Sequence, residues 1–167
     1  MTWYWFPDNT VLCNFAAVSR LRLLKEILRG RGRWVEAIYY EATNSARFYP
    51  ELASIGRDGW LGEPIQIRDQ AEVDLIEQVR RSVFGGSRQR PTEHLGEAQT
   101  CHVILNWPAF QGSFWVTDDR DALEYARRRG ITTRDTMDLF CEATVEGLCT
   151  QDEAYKLLHE MARLGRH

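Results

Sequence analysis

The sequence lacks the features that would place it at once among membrane, secreted or metal-thiolate proteins. No run approaches the about 18 apolar residues of a membrane-spanning helix, and no basic region followed by a long apolar one marks a signal peptide. The four cysteines form neither a C-x-x-C pair nor a zinc-ligand spacing, so we expect reduced, mostly buried thiols in a cytoplasmic protein. The net charge of −3 gives no bulk electrostatic basis for binding nucleic acid.

The remaining composition is that of a globular protein, and the 167 residues predict a single domain over 1–167. Apolar periodicity predicts strands at 2–6, 64–69, 113–117 and 131–133. It predicts helices at 9–30, 33–46, 70–86, 95–107, 119–130, 136–148 and 150–165, with loops at 50–63 and 87–94. Strands that alternate with helices indicate an α/β fold with a mostly parallel central sheet.

Acidic residues follow two of the predicted strands at the point where each strand ends. Asp8 comes after the first strand, and Asp118 and Asp119 come directly after the strand at 113–117. One aspartate there is explained by capping of the next helix, but two in a row indicate a further role. Because the carboxyl ends of parallel strands meet at one edge of the sheet, we expect these side chains to lie close together.

Two more acidic residues lie in predicted helices, Glu41 within "IYYEA" and Glu97 within "HLGEAQT". Gly96, directly before Glu97, allows another element to approach the start of its helix closely. Carboxylates gathered at one edge repel one another unless a cation neutralises them, and ligand sets made only of oxygen suit Mg²⁺ or Mn²⁺. Such ions activate water and stabilise charge on a phosphodiester, so the pattern predicts phosphodiester hydrolysis.

The order of these segments resembles the PIN domain, a family of metal-dependent nucleases that includes the toxins of many bacterial toxin–antitoxin pairs. The resemblance is carried by "PDNTVLCNFA" (7–16), "VEAIYYEA" (35–42), "HLGEAQT" (94–100) and "VTDDRDALEYARRRGITTRDTMDLF" (116–140). It covers most of the chain and is weakest across 43–93. It implies a three-layer α/β/α fold with a mostly parallel central sheet.

The resemblance also implies roles for individual residues. The catalytic acids that it implies are Asp8, Glu41, Glu97 and Asp119. The same four and Asp118 would bind Mg²⁺ or Mn²⁺, and the residues implied to position the substrate are Thr10 and Thr117. The implied activity is that of an endoribonuclease that hydrolyses RNA with water as the nucleophile. The implied partners are RNA, a small antitoxin protein and a second copy of the chain in a homodimer.

Two features depart from the family pattern. The order Asp-Asn-Thr at 8–10 replaces the usual Asp-Thr-Asn, and Pro7 predicts an early end to the first strand because proline offers no backbone N–H. A PIN-like binding or scaffold module without turnover is therefore the main alternative, and a DNA nuclease is another. Basic runs at 20–33 and 127–129 are either solvated faces or contacts to phosphate.

Overall fold

The computed structural model describes residues 2–166 as a mixed α/β protein. Its strands are β1 (Trp5–Pro7), β2 (Phe114–Val116) and β3 (Thr132–Arg134). Its α-helices are α1 (Asn9–Ala17), α2 (Leu21–Leu28), α3 (Glu36–Ser45), α4 (Ala53–Asp58), α5 (Gln70–Ser82), α6 (Leu95–Asn106), α7 (Arg120–Arg129), α8 (Thr136–Val145) and α9 (Gln151–Arg163). A short 3-10 helix spans Pro50–Leu52. This small sheet among many helices is compatible with the predicted α/β/α layering.

The three strands pair in parallel in the order β1-β2-β3, which confirms the predicted parallel sheet. Pro7 lies opposite Val116, and Val116 lies opposite Arg134, so the three strands end at one level. Asp8 and Thr117 follow directly after two of these ends. The sheet therefore brings the residues that precede α1 and α7 together at its carboxyl edge.

The prediction that Pro7 ends the first strand early is wrong. Pro7 pairs with Val116, and the backbone N–H of Asp8 still donates to the Val116 carbonyl at 2.9 Å. The N–H of Trp5 instead donates to the Arg31 carbonyl, on the other side of β1. Because successive strand N–H groups alternate between the two sides, the missing N–H of Pro7 faces away from β2. Pairing with β2 is therefore unaffected.

The strand predicted at 64–69 is reduced to a single bridge between Ile65 and Val35. The Ile65 N–H donates to the Trp34 backbone carbonyl, and the Glu36 N–H donates to the Ile65 carbonyl. From Glu36 onward the partner segment turns into α3, so residues 66–69 have no neighbouring strand with which to continue the ladder.

The helix predicted over 9–30 is two helices, α1 and α2, joined by a turn at residues 18–20. Ser19 in this turn has a φ of 53°, which lies in the left-handed region and breaks a right-handed helix. Apolar residues continue across the turn because both helices pack in the same core, α1 with six consecutive buried residues and α2 with one buried face. Periodicity alone therefore did not reveal the break.

The later helices lie close to their predicted ranges. Gly130 ends α7 in the left-handed conformation, and Thr150 with Glu153 forms the capping box predicted for α9. The loop predicted over 50–63 is wrong in part, because it contains the 3-10 helix and α4. Gly59 caps the end of α4, so one glycine of this segment marks a helix end within it.

The buried side chains form a cluster that joins β1 and β2 to the helices and includes Trp5 and Trp115. All four cysteines are free thiols, but only Cys13 and Cys101 are buried, whereas Cys141 is exposed. Within residues 2–166, no helix combines the length and apolar character needed to cross a bilayer.

Candidate functional site

Asp8 is the single residue between β1 and α1, and it is the N-cap of α1. Its Oδ1 accepts a hydrogen bond from the Val11 N–H at 2.9 Å, which caps α1, and its Oδ2 accepts one from the Thr117 hydroxyl. Burial raises the pKa of Asp8 to about 7, with the charges of Asp118 and Glu97 adding to this effect and both hydrogen bonds opposing it. Asp8 therefore lies among carboxylates where a proton or a cation balances the charge.

Asp118 ties the end of β2 to the start of α8. Its Oδ1 accepts a hydrogen bond from the Thr136 N–H at 2.8 Å. Its Oδ2 accepts from the Thr136 hydroxyl at 2.5 Å and from the Asn14 amide at 2.8 Å. Burial raises the pKa of Asp118, although the bonds from Thr136 oppose the rise. These bonds hold the carboxylate in one orientation.

Asp119 has a different environment from that of Asp118. It is exposed, and its Oδ1 accepts a hydrogen bond from the Ala122 N–H at 2.8 Å, so it caps α7. The charge of Asp118 is among those that raise the pKa of Asp8. The structure thus makes Asp119 a helix cap, whereas Asp118 bonds to Thr136 and Asn14 and its charge acts on Asp8.

Glu41, on α3, meets the first turn of α6 at Gly96. The Gly96 backbone lies against α3, because a Cβ on Gly96 would lie 2.3 Å from Ile38 Cδ1 and 2.8 Å from Glu41 Oε1. The predicted close approach at this glycine is therefore confirmed. Burial raises the pKa of Glu41 to about 8, together with the charges of Glu97 and Asp8.

Glu97 carries an unsatisfied carboxylate oxygen. Its Oε2 is buried and has no hydrogen-bond partner among residues 2–166, while its Oε1 lies 3.3 Å from His94 Nδ1. A buried polar atom without a partner is costly and marks a position where a ligand would be stabilising. His94 adopts a left-handed backbone with φ of 61°, which is uncommon for a residue with a side chain and recurs at functional sites.

A cleft of about 400 Å³ opens beside Glu41 and Glu97. Tyr40 and Asn44 line it from α3, and His94 lines it from the segment before α6. The Tyr40 side chain is largely exposed, with 56% of the residue's surface accessible. The cleft falls within the range of volumes typical of small-molecule sites, so it is large enough for a nucleotide unit next to the acids.

The two threonines predicted to position the substrate differ in exposure. Thr117 is fully buried, and its hydroxyl donates to Asp8 and accepts from the Asp119 N–H at 3.1 Å. It therefore orients carboxylates and does not face solvent. Thr10 is exposed in the first turn of α1, and its carbonyl accepts from Arg166 Nη2 at 3.3 Å.

Sequence reasoning missed Asn14 and Arg166. Arg166 Nε donates to Asn14 Oδ1 at 2.9 Å, and the Asn14 amide donates to Asp118. Asn14 is buried and interrupts the apolar run of α1, which is a signal of a buried polar partner. Arg166 is 152 residues from Asn14 along the chain, and no local pattern marks it.

Parts of the basic runs considered as phosphate contacts lie away from Asp8 and Asp119. The backbones of Arg31 and Arg33 bond to Trp5, at the opposite end of β1 from the site. Residues 127–129 form the last turn of α7, about 15 Å along the helix from its cap at Asp119. Arg129 is nevertheless close enough to Cys101, one turn after Glu97 on α6, for its charge to oppose the rise in the pKa of that thiol.

Among residues 2–166, no group of three or more His, Cys, Asp and Glu side chains is placed to hold a metal ion. Comparisons of the chain with protein-family models, curated proteins and solved structures give no match. The PIN resemblance thus stays a prediction from sequence, and function has to be inferred from the geometry of the acids.

Proposed function

We propose that the protein is a Mg²⁺- or Mn²⁺-dependent ribonuclease with a PIN-like fold, which hydrolyses RNA phosphodiester bonds. The observation that carries this proposal is that the charge of Glu97 acts both on Asp8, at the carboxyl edge of the sheet, and on Glu41, on α3, while Asp118 also acts on Asp8. We call Asp8, Glu41, Glu97 and Asp118 the carboxylate cluster. Burial and mutual repulsion raise the pKa values of Asp8 and Glu41 to about 7 and about 8. Strongly perturbed acids beside a cleft are typical of functional sites.

The donor atoms are of the type that a hard divalent cation prefers, although no three of these side chains within residues 2–166 are placed to hold an ion. All are carboxylate oxygens, which Mg²⁺ and Mn²⁺ prefer, and the buried Glu97 Oε2 has no protein partner within residues 2–166. The candidate ligands are Asp8, Glu41, Glu97 and Asp118, with Asp119 as the additional ligand that the resemblance implies. When bound, the cation would activate water and stabilise charge on the phosphodiester.

The protein supplies orientation through its own hydrogen bonds. Both oxygens of Asp8 and both oxygens of Asp118 accept hydrogen bonds from neighbouring groups. Carboxylates held in this way need little reorganisation when a ligand binds. The cleft beside Glu41 and Glu97 gives the substrate a place next to them.

The proposal includes the partners that the resemblance implies, which are an RNA substrate, a small antitoxin protein and a second copy of the chain. Light scattering on the purified protein tests the homodimer. The antitoxin is tested by adding back a co-purifying small protein, which should suppress RNA cleavage.

A second candidate function is a PIN-like binding module without turnover. The observation that favours it is that both oxygens of Asp8 are already engaged, one by the Val11 N–H and one by the Thr117 hydroxyl. A module of this kind would bind no divalent ion at the acids. Calorimetric titration with Mn²⁺ therefore separates the two candidates.

A cleavage assay tests the ribonuclease. Labelled single-stranded RNA or DNA is incubated with the protein in Mn²⁺, Mg²⁺ or EDTA, beside the Asp8→Asn, Glu97→Gln double variant. We expect RNA cleavage only with metal and only by the native chain, whereas Glu36→Gln, on the same helix as Glu41, should keep full activity. Cleavage that persists in the double variant contradicts the proposal. Cleavage of DNA alone would assign a DNA nuclease.

A further inference from the structure

Arg166 places a positive charge at the edge of the carboxylate cluster. Its Nε donates to Asn14 Oδ1 at 2.9 Å, and the Asn14 amide donates to Asp118 Oδ2 at 2.8 Å. Its Nη2 lies 3.3 Å from the Thr10 carbonyl, and its guanidinium carbon lies 5.8 Å from the centre of the Tyr49 ring. One side chain therefore separates Arg166 from an acid of the site.

The charge of Arg166 is not neutralised by an ion pair within residues 2–166. Both of its hydrogen bonds go to neutral acceptors, the Asn14 amide oxygen and the Thr10 carbonyl. A guanidinium carries five N–H donors in a planar fork, so more than half of them remain for a ligand. Arg163, three residues earlier, instead pairs with Glu160 at 2.6 Å.

An acidic site has to overcome its repulsion of a polyanionic substrate. In the basic runs, Arg31 and Arg33 bond through their backbones to Trp5, and the last turn of α7 lies about 15 Å along the helix from Asp119. Arg134, at the end of β3, has its guanidinium carbon 5.2 Å from the centre of the Phe114 ring, so its side chain turns back along the sheet. Among residues 2–166, Arg166 is the arginine whose hydrogen bonds lead through Asn14 to an acid of the site.

We propose that Arg166 binds a phosphate of the RNA strand beside the carboxylate cluster. The planar guanidinium matches two phosphate oxygens, and Asn14 and Thr10 hold it in place before the ligand arrives. The inference rests on the proposed function only for the identity of the ligand as RNA. A purely structural alternative is that Arg166 only fastens the end of α9 to α1.

The experiment uses three variants of the full chain. Arg166→Gln removes the charge, Arg166→Lys keeps it without the planar fork, and Arg163→Gln removes an equal charge from the exposed pair with Glu160. Binding of a fluorescein-labelled single-stranded RNA is measured by anisotropy in EDTA over a range of KCl concentrations. Cleavage of the same RNA in Mn²⁺ and the thermal unfolding midpoint are measured separately.

We expect Arg166→Gln to weaken RNA binding about tenfold, as for loss of a charged hydrogen bond. The slope of log K against log salt should fall in magnitude by about 0.7, the value for one phosphate contact on a single strand. Arg166→Lys should keep the slope and bind with intermediate affinity, and Arg163→Gln should change neither quantity. In Mn²⁺, Arg166→Gln should raise KM more than it lowers kcat.

An Arg166→Gln variant with the affinity and salt slope of Arg163→Gln overturns the inference, and a lowered unfolding midpoint would then assign a structural clamp. The ribonuclease proposal fails separately. If the native chain shows the Arg166-dependent salt slope but cuts no RNA, the phosphate contact stands and the ribonuclease activity does not. If the native chain binds no RNA, both are wrong.

Discussion

The Thr117 hydroxyl donates a hydrogen bond to the Asp8 carboxylate, 109 residues earlier in the chain. The two residues follow β2 and β1, and both are buried. Their contact exists because parallel pairing places the carboxyl ends of β1 and β2 side by side. One bond thus links the pairing of the sheet to the orientation of a candidate ligand.

Replacing Thr117 by Val keeps the shape of the side chain and removes the hydroxyl. We expect a loss of about 1–3 kcal/mol in the free energy of unfolding, because a buried carboxylate oxygen is left without a donor. The lost bond also lets the pKa of Asp8 rise further, so Mn²⁺ binding at neutral pH should weaken. Urea unfolding and Mn²⁺ calorimetry measure the two effects.

The control is Thr117→Ser, which keeps the hydroxyl and should retain Mn²⁺ affinity. Equal Mn²⁺ affinity in the Val and Ser variants would show that the hydrogen bond has no part in the site.

Single substitutions to Asn distinguish the role of Asp118 from that of Asp119. Asn is also a good helix cap, so Asp119→Asn should keep its bond to the Ala122 N–H and change Mn²⁺ affinity by less than about twofold. Asp118→Asn loses a charge next to Asp8 and the acceptor pattern used by Thr136, so affinity should fall about tenfold or more. Mn²⁺ calorimetry and the cleavage rate provide the comparison.

The reverse ranking of the two variants would assign the fourth catalytic acid to Asp119, as the PIN resemblance implies. The unfolding free energy of each variant is the control, because a ligand effect has to exceed the effect of lost stability.

The raised pKa values of Asp8 and Glu41 predict a protein that becomes less stable as pH rises. The ordinary pKa values of these groups are 3.8 and 4.5, and in the folded chain they are about 7 and about 8. Between these limits the folded state binds more protons than the unfolded state, so the free energy of unfolding falls with increasing pH. Below pH 4 this contribution is fully present, and above pH 8 it is lost.

Glu41→Gln tests this relationship in EDTA. The variant should unfold about 5 °C or more above the native chain at a pH above 8, and the difference should shrink toward pH 5. Thermal unfolding followed by circular dichroism measures the midpoints. Glu36→Gln on the same helix is the matched control, and a pH-independent effect of Glu41→Gln would contradict the prediction.

Arg80 is a fully buried arginine that holds the segment leading to the site. Glu77 pairs with it through both carboxylate oxygens, at 2.6 and 2.8 Å. The carbonyls of Ser87, Arg90 and Glu93 accept from its guanidinium at 3.0 to 3.1 Å. These bonds order the loop that ends at His94, directly before α6 and Glu97.

Arg80→Met should therefore destabilise the protein by about 3 kcal/mol, because three carbonyls lose their buried donor. Urea unfolding measures the loss, and hydrogen exchange should show faster exchange over 87–94. Arg81→Met, at the exposed neighbouring position, should leave both unchanged. Unaltered exchange over 87–94 in Arg80→Met would show that the loop is held by other contacts.

Much of the secondary structure could be predicted from local patterns. The helices from α5 onward and the β2 strand lie near their predicted ranges, because their apolar spacing and their caps, such as Gly130 and Thr150, act within a few residues. The break at Ser19 and the loss of a strand at 64–69 could not be predicted in this way. The break depends on how two helices pack against one core, and the strand depends on whether a neighbouring segment stays extended.

The sequence by itself determined which acids are present, their placement after strands or in helices, and the glycine that admits Glu41 to the start of α6. Only the tertiary structure decided that Asp118 bonds to Thr136 and Asn14 while Asp119 faces solvent, that Thr117 is buried, and that Arg166 reaches Asn14. The physical reason is the separation along the chain of the residues that interact. Helix caps and close approach at glycine follow from neighbours along the chain, whereas burial, charge coupling and contacts over 100 residues exist only once the sheet has brought distant segments together.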